Sequence, residues 1–406
     1  MIKWNAISQL AALGVILVVQ TLYMIVVARV LGPEDFGRFS LVWVIVQILL
    51  IGGDLGLHNS ALRRISQDPA ASPRISGTLF WLKLRLSAIL FLVVLLLALP
   101  LPETASTKWA LVIFGAGMFF HSLSLGLNIV FQAHGKLYLA SLNIVLLFSM
   151  QGFCGLAFLW MGGRLPALGA AYLLAGLATL AFNLAIFQSQ IHAISCRPET
   201  TWRDFARESL PVGLGTLFNT VSGRIGVALL AFLSGPFEAG IFSAAQRIVL
   251  ATHNVPIGIF SAALPALAAY QGGGREFYRL FRKSLHWMTL LALPLAILFF
   301  AFASPLIWFL YSIEYASSIA VLRILSWSLI PVFCGMAFSH VILSQHHLVK
   351  FLPWATGLAL IVNVSASLLW IPRWQAEGVA WAILLSETVL AAGYFAAARG
   401  VLLRDS

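Results

Sequence analysis

The sequence predicts an all-α polytopic membrane protein with about twelve transmembrane helices in two pseudo-symmetric six-helix lobes. Three observations carry this expectation. Of 406 residues, 60% are apolar and only 10% charged, whereas a soluble domain uses roughly 25% charged residues to stay solvated. The apolar residues fall into successive runs of about 20, the length that crosses about 30 Å of hydrocarbon. A turn motif in the first half recurs in the second, displaced by 203 positions.

The first lobe, residues 1–188, holds spans at 7–28, 39–57, 79–99, 109–131, 139–160 and 167–188. The second, residues 209–406, holds spans at 210–233, 240–269, 285–303, 321–343, 351–370 and 378–398. Helices are required because lipid offers the backbone no hydrogen-bond partner. The first run is too long for a cleaved signal and lacks a small-residue cleavage site, so it reads as a retained span. A polar stretch at 189–208, with Arg197, Arg203 and Arg207, links the lobes.

Loop charge sets the orientation. Seventeen Lys and Arg side chains, among them Arg63, Arg64, Lys83 and Lys350, fall on the side of the N-terminus, and six fall on the other. The positive-inside rule places both termini in the cytoplasm. The net charge of +11 is spread over these short loops, a pattern of membrane topology rather than of nucleic-acid binding. Cys154, Cys196 and Cys334 are far apart and form no metal or disulfide spacing. Gly272-Gly273-Gly274 has no GK[ST] after it and reads as a flexible turn, followed by a basic stretch suited to a short amphipathic helix. No metal site, catalytic group or cofactor is expected.

The internal match aligns Gly32-Pro33-Glu34-Asp35-Phe36-Gly37-Arg38-Phe39-Ser40 with Gly235-Pro236-Phe237-Glu238-Ala239-Gly240-Ile241-Phe242-Ser243. Gly, Pro, Gly, Phe and Ser recur at identical spacing, each time between the first and second span of a half. A second echo sets Pro166 and Gly169-Ala170-Ala171 against Pro372 and Gly378-Val379-Ala380. Six spans per half make the repeat parallel. Transporters with repeats bind at the repeat interface and alternate access by rocking.

These residues also carry a family resemblance. Ala28-Arg29-Val30-Leu31-Gly32-Pro33-Glu34-Asp35-Phe36-Gly37 resembles the "A-R-x-L-G-x-x-x-[FY]-G" opening of Wzx-type polysaccharide flippases, in the multidrug/oligosaccharidyl-lipid/polysaccharide exporter superfamily. Asp54-Leu55-Gly56-Leu57 and Ala61-Leu62-Arg63 are similar to its "L-G-L-x-x-A-x-x-R" segment. Ala239-Gly240-Ile241-Phe242 with Ala245 and Arg247, and Pro265 with Leu267, resemble two further segments. The resemblance implies a V of two lobes around a cavity in the bacterial cytoplasmic (inner) membrane. It implies an undecaprenyl-diphosphate-linked oligosaccharide as cargo, moved to the periplasmic leaflet, and polymerases or glycosyltransferases of the same pathway as partners alongside membrane lipid. Many relatives follow the Arg of the seventh span with Asp; here the run is Gly223-Arg224-Ile225-Gly226, so no coupling role is carried over from that Asp. The two extra spans of lipid II flippases are also missing.

Intramembrane charges are the candidate site residues, because each is expensive in lipid. Arg224 and Arg247 lie at one depth, about 13 Å below the periplasmic surface at 1.5 Å per residue, and two guanidinium forks suit a diphosphate. Snorkelling, or an internal pair with Glu387, is the alternative. Asn219, Gln246 and His253 offer hydrogen bonds to sugar hydroxyls or to a neighbouring helix. Glu387 is a proton carrier or a structural counter-ion, and Asp54 a coupling carboxylate or a helix-end partner of Arg63-Arg64. His121 and His340 read as satisfied bundle residues, and His346-His347 as solvated. Two other functions stay open: a drug or cation antiporter of the same superfamily, and a membrane polymerase or ligase. The latter lacks the large outward loop and the paired catalytic groups such chemistry needs.

Overall fold

The computed structural model describes residues 2–54, 56–68, 71–190, 202–253, 274–344 and 346–402. The helices are α1 (Ile2–Gly52), α2 (Leu57–Gln67), α3 (Ser72–Ala98), α4 (Ala105–Ala133), α5 (Leu137–Trp160) and α6 (Leu165–Gln190), then α7 (Trp202–Leu233), α8 (Pro236–Thr252), α9 (Arg275–Ala301), α10 (Ala303–Leu310), α11 (Ser318–Ser344) and α12 (Leu352–Leu402). One-turn 3-10 helices at Ile313–Tyr315 and His346–Phe351 complete them.

Nine helical stretches among the described residues are long and apolar enough to cross a membrane. Two of them hold two spans each. α1 turns at Gly32, just before Pro33, and α12 turns at Gln375, three residues after Pro372. Proline removes a helical N–H and crowds the preceding turn, so both kinks fall where the helical ladder is already broken. The eighth span begins as α8, and the part expected after His253 lies outside the described residues. The basic stretch after Gly274 is not a separate helix: Arg275, Arg279, Arg282 and Lys283 ride on the first turns of α9, which continues through the ninth span.

The chain divides into two compact units, Met1–Leu31 with Val42–Leu217, and Gly32–Leu41 with Phe218–Ser406. In the first unit α4 packs on α3 and α6, and α6 packs on α5. Polar ties fasten these helices inside an apolar core. Asn143 Oδ1 accepts from Asn128 Nδ2 at 2.9 Å and from Ser124 Oγ at 3.2 Å, while its Nδ2 donates to Asn183 Oδ1 at 3.0 Å. Asn183 Nδ2 in turn donates to the Ser124 carbonyl at 2.9 Å. Hydrogen bonds of this kind join helices where lipid-facing and core-facing surfaces are equally apolar. His121 Nδ1 meets the Tyr172 hydroxyl at 2.8 Å, beside Trp43 and Phe114. Leu57, Ala61 and Ile65, one stripe of α2, join Leu79, Leu127, Phe131 and Phe187 in a second cluster.

Asp54 sits in the turn between α1 and α2 and pairs with Lys83 of α3. The Lys83 side chain is 1% exposed. The helix-end pair expected for Asp54 therefore exists, but with Lys83 rather than Arg63-Arg64. Lys83 itself, counted among the cytoplasmic loop cations, is buried.

The second unit is organised around the repeated turn. Gly32 (φ 73°, ψ 171°) and Gly235 (φ 96°, ψ 168°), 203 positions apart, adopt nearly the same conformation, one open to glycine and strained for any L side chain. Each turn then brings a second glycine against the other's backbone. A Cβ on Gly37 would overlap the Pro236 carbonyl, and a Cβ on Gly240 would overlap the Pro33 carbonyl. Around this crossing Phe36 stacks on Phe39, with ring centroids 6.1 Å apart, and meets Tyr315 edge-on at 6.2 Å. Further up, Ser318 Oγ of α11 donates to the Ile241 carbonyl of α8 at 2.7 Å. Asn363 of α12 repeats the role of Asn143: its Nδ2 donates to the Ser222 carbonyl at 3.0 Å and to Ser386 Oγ at 3.2 Å.

Gly37→Ala and Gly240→Ala should each cost about 1–3 kcal/mol or more through overpacking and lower the thermal midpoint of the purified protein by several degrees. Gly14→Ala, whose Cβ would meet nothing within 4 Å, should leave it unchanged or higher; equal midpoints for all three would show that the crossing carries no load. For the ion pair, Asp54→Asn and Lys83→Met should each destabilise, because the remaining partner is left uncompensated. The double variant should lose less than the sum, by about 1–3 kcal/mol. Strict additivity in the same denaturation series would mean the two charges do not interact.

Candidate functional site

Four helices of the second unit enclose a cavity of about 390 Å³. Each contributes one face, read directly in helical spacing. From α7 come Asn219, Thr220, Gly223 and Arg224; from α8 come Leu250 and His253. Pro331, Gly335, Met336 and Ser339 line it from α11, and Glu387, Leu390, Ala391 and Tyr394 from the second limb of α12. Three features keep the space open. A Cβ at Gly223 would meet nothing within 4 Å, so its missing side chain is part of the volume. A Cβ at Gly335 would stand in ordinary van der Waals contact with Ala391, so its absence leaves that space between α11 and α12 unfilled. Pro331 has no N–H for the carbonyl one turn earlier, which loosens α11 beside the cavity.

The cavity joins four of the residues singled out by sequence: Asn219, Arg224, His253 and Glu387. Arg224 and Glu387 are half-buried and of opposite sign, yet no ion pair joins them. The internal Arg224–Glu387 bridge weighed from sequence is thus not formed. His253 Nε2 is buried with no hydrogen-bond partner among the described residues. A buried polar atom left unpaired costs free energy, and a ligand or a water in the cavity is the natural partner.

Three other candidates lie elsewhere. The Arg247 guanidinium sits 5.4 Å from the Phe36 ring centroid, a cation–π contact at the glycine crossing. It is not among the residues lining the cavity, so the two guanidiniums expected to share a diphosphate are not brought together there. Gln246 Nε2 donates to the Gly223 carbonyl at 3.0 Å and ties α8 to α7, the helix-bonding alternative for this residue. Asp54 belongs to the first unit and to Lys83. His340 Nδ1 lies 2.6 Å from the Met336 carbonyl, bonded within its own helix, while the adjacent Ser339 faces the cavity instead. Sequence reasoning missed Ser339 and Tyr394. For Tyr394 a signal existed, since it stands two turns after Glu387 on one face of the twelfth span.

No group of three or more potential metal ligands occurs among the described residues. Cys154 and Cys334 are free thiols, and Cys196 lies outside the described residues, as do the side chains of His346 and His347.

Comparison with known proteins sets this arrangement in a family. No curated protein sequence matches the chain. Solved structures align with almost all of it. A multidrug resistance MATE family transporter of the MOP superfamily, in an outward-facing conformation, superposes at a TM-score of 0.70 with 20% identity, covering 98% of this chain and 95% of the other. A MOP superfamily transporter from Pyrococcus furiosus, whose reversed binding-pocket polarity is taken to suggest a different function, gives 0.71 and 20% over the same shares. MATE in a bent conformation gives 0.69 and 19%, again over 98% and 95%. At such identities the likeness establishes the fold. The family described as polysaccharide biosynthesis protein matches residues 3–271, more than half of the sequence, and the chain therefore belongs to that family, built on the fold of MOP superfamily transporters.

Proposed function

We propose that this protein is a flippase that moves undecaprenyl-diphosphate-linked oligosaccharide from the cytoplasmic to the periplasmic leaflet of a bacterial inner membrane, for assembly into cell-surface polysaccharide. The observation that carries the reading is the match to polysaccharide biosynthesis proteins in a chain with the fold of transporters. Enzymes of such pathways transfer sugars or phosphates, and the cavity supports another role. It holds hydrogen-bonding groups on four helices. Among the described residues Ser339 Oγ lies 3.5 Å from His340 Nδ1, but both are engaged by the Met336 carbonyl, at 2.8 and 2.6 Å. That leaves Nδ1 a donor rather than the base that covalent catalysis needs.

In this reading Asn219, Arg224 and His253 bind the passing head group. Polar groups at mid-membrane offset the cost of taking a hydrophilic glycan out of water, and the polyprenyl tail stays in lipid. Membrane glycosyltransferases would supply the cargo and a polymerase would consume it. Both chain ends lie in the cytoplasm, as the loop cations require. A drug or cation antiporter is the second reading, favoured by the MATE likeness and by Glu387 in the cavity; Arg224 beside it disfavours cationic cargo.

The test is a deletion strain in which the leaflet of lipid-linked glycan is read with a membrane-impermeant lectin. Glycan should accumulate out of the lectin's reach. Wild-type protein should restore exposure, and Arg224→Gln, at equal membrane abundance, should restore it about tenfold less or worse, the loss expected for a charge-assisted hydrogen bond. Glycan that is exposed but unpolymerised would point to an enzyme instead. Normal glycan with new sensitivity to cationic drugs would point to the antiporter.

A further inference from the structure

Resting on the flippase reading, we propose that the cavity of the second unit is a sugar subsite: it binds one or two uncharged pyranose rings of the cargo and excludes the diphosphate. Three observations lead there. Arg224 and Glu387 line the same cavity without bridging each other. A sugar hydroxyl both donates and accepts, so a ring with neighbouring hydroxyls satisfies the carboxyl group and the guanidinium at once. It does so whether Glu387 is ionised or protonated. A diphosphate oxygen only accepts, and an ionised Glu387 repels it.

The second observation is that, among the described residues, no second Lys or Arg lines the cavity. A diphosphate site gains from two forked donors, but Arg247 is turned toward Phe36 at the glycine crossing. Beside Arg224 the cavity offers neutral groups instead. Asn219 carries both donors and an acceptor, and Ser339 Oγ donates to the Met336 carbonyl at 2.8 Å and keeps lone pairs to accept. His253 Nε2 is buried with no partner among the described residues. Tyr394 supplies an aromatic surface on the same wall as Glu387, able to lie against the apolar C–H face of a pyranose. The third is size. At about 390 Å³ the space stands at the lower end of small-molecule sites, which run roughly 300–1,000 Å³. That suits one or two rings and excludes a whole repeat unit with its carrier.

The test uses the full-length protein in lipid nanodiscs and three probes: the strain's own lipid-linked glycan, the oligosaccharide released from it by mild acid, and inorganic diphosphate. Binding is followed by calorimetry. The released oligosaccharide should bind, and diphosphate should not displace it. Glu387→Gln and Ser339→Ala should each weaken oligosaccharide binding, Glu387→Gln about tenfold as expected for a lost charge-assisted bond. Both variants are checked for an unchanged thermal midpoint; Asn219→Asp is the substitute where either fails to fold, with the same weakening expected. Diphosphate that competes with the oligosaccharide for the wild-type protein would overturn the subsite while leaving the flippase reading intact. So would oligosaccharide binding that none of the variants changes. Failure of the intact lipid-linked glycan to bind the wild-type protein would overturn both.

Discussion

Two glycines, Gly37 and Gly240, let one polypeptide turn pass against another with no side chain between them. This contact explains why the same Gly-Pro-x-x-x-Gly-x-Phe-Ser pattern stands in both halves of the sequence. Each turn uses its first glycine to adopt a conformation strained for other residues, and its second to approach the partner's carbonyl. The consequence reaches beyond the turn. Residues Gly32–Leu41, which belong to the first half by sequence, pack as part of the second unit. They carry Phe36 to Arg247, and this decides the fate of that cation. Held over an aromatic ring, Arg247 serves the crossing rather than the cavity.

The cavity follows from the packing on the other side of the same unit. Lipid gives helices little reason to associate through apolar surface, so close packing and a few hydrogen bonds hold them. Asn363 and Gln246 do this for α12 and α8 against α7. With those ties made by residues outside the cavity, Arg224 and Glu387 line it without pairing with each other, and His253 Nε2 is buried with no hydrogen-bond partner among the described residues. Unmet polar capacity in a low-dielectric setting is costly, and a ligand or a water in the cavity would relieve the cost. The second unit thus separates structural polarity, spent on neighbouring helices, from polarity available to a ligand.

Much of the fold was legible in the sequence because the bilayer imposes one length on every span. The kinks at Gly32 and Gln375 lie in the loops expected between runs, although each pair of runs forms one bent helix. The short helices α2 and α10 were not foreseen, since neither is long enough to register as a span. Depth along a helix was readable and direction around it was not. Arg224 and Arg247 were expected at one depth, yet Arg224 lines the cavity and Arg247 lies over Phe36, because a helix apolar on all sides gives no moment from which to read its orientation. Lys83 was hidden for a related reason. Near the end of a span a lysine reads as a snorkelling loop cation, and only the fold brings it to Asp54. The similar roles of Asn143 and Asn363, each within its own unit, were missed because the interval between them differs from that of the turns.

The flippase reading stands or falls on whether this chain itself carries glycan across the bilayer. The most direct measurement is made with purified protein in sealed liposomes containing lipid-linked oligosaccharide, by following the fraction open to an external glycan-cleaving enzyme. The account predicts that the protein converts the protected fraction to an accessible one, and that Arg224→Gln slows the conversion. A protected fraction that persists at the level of protein-free liposomes, with the protein shown to be folded, would contradict it.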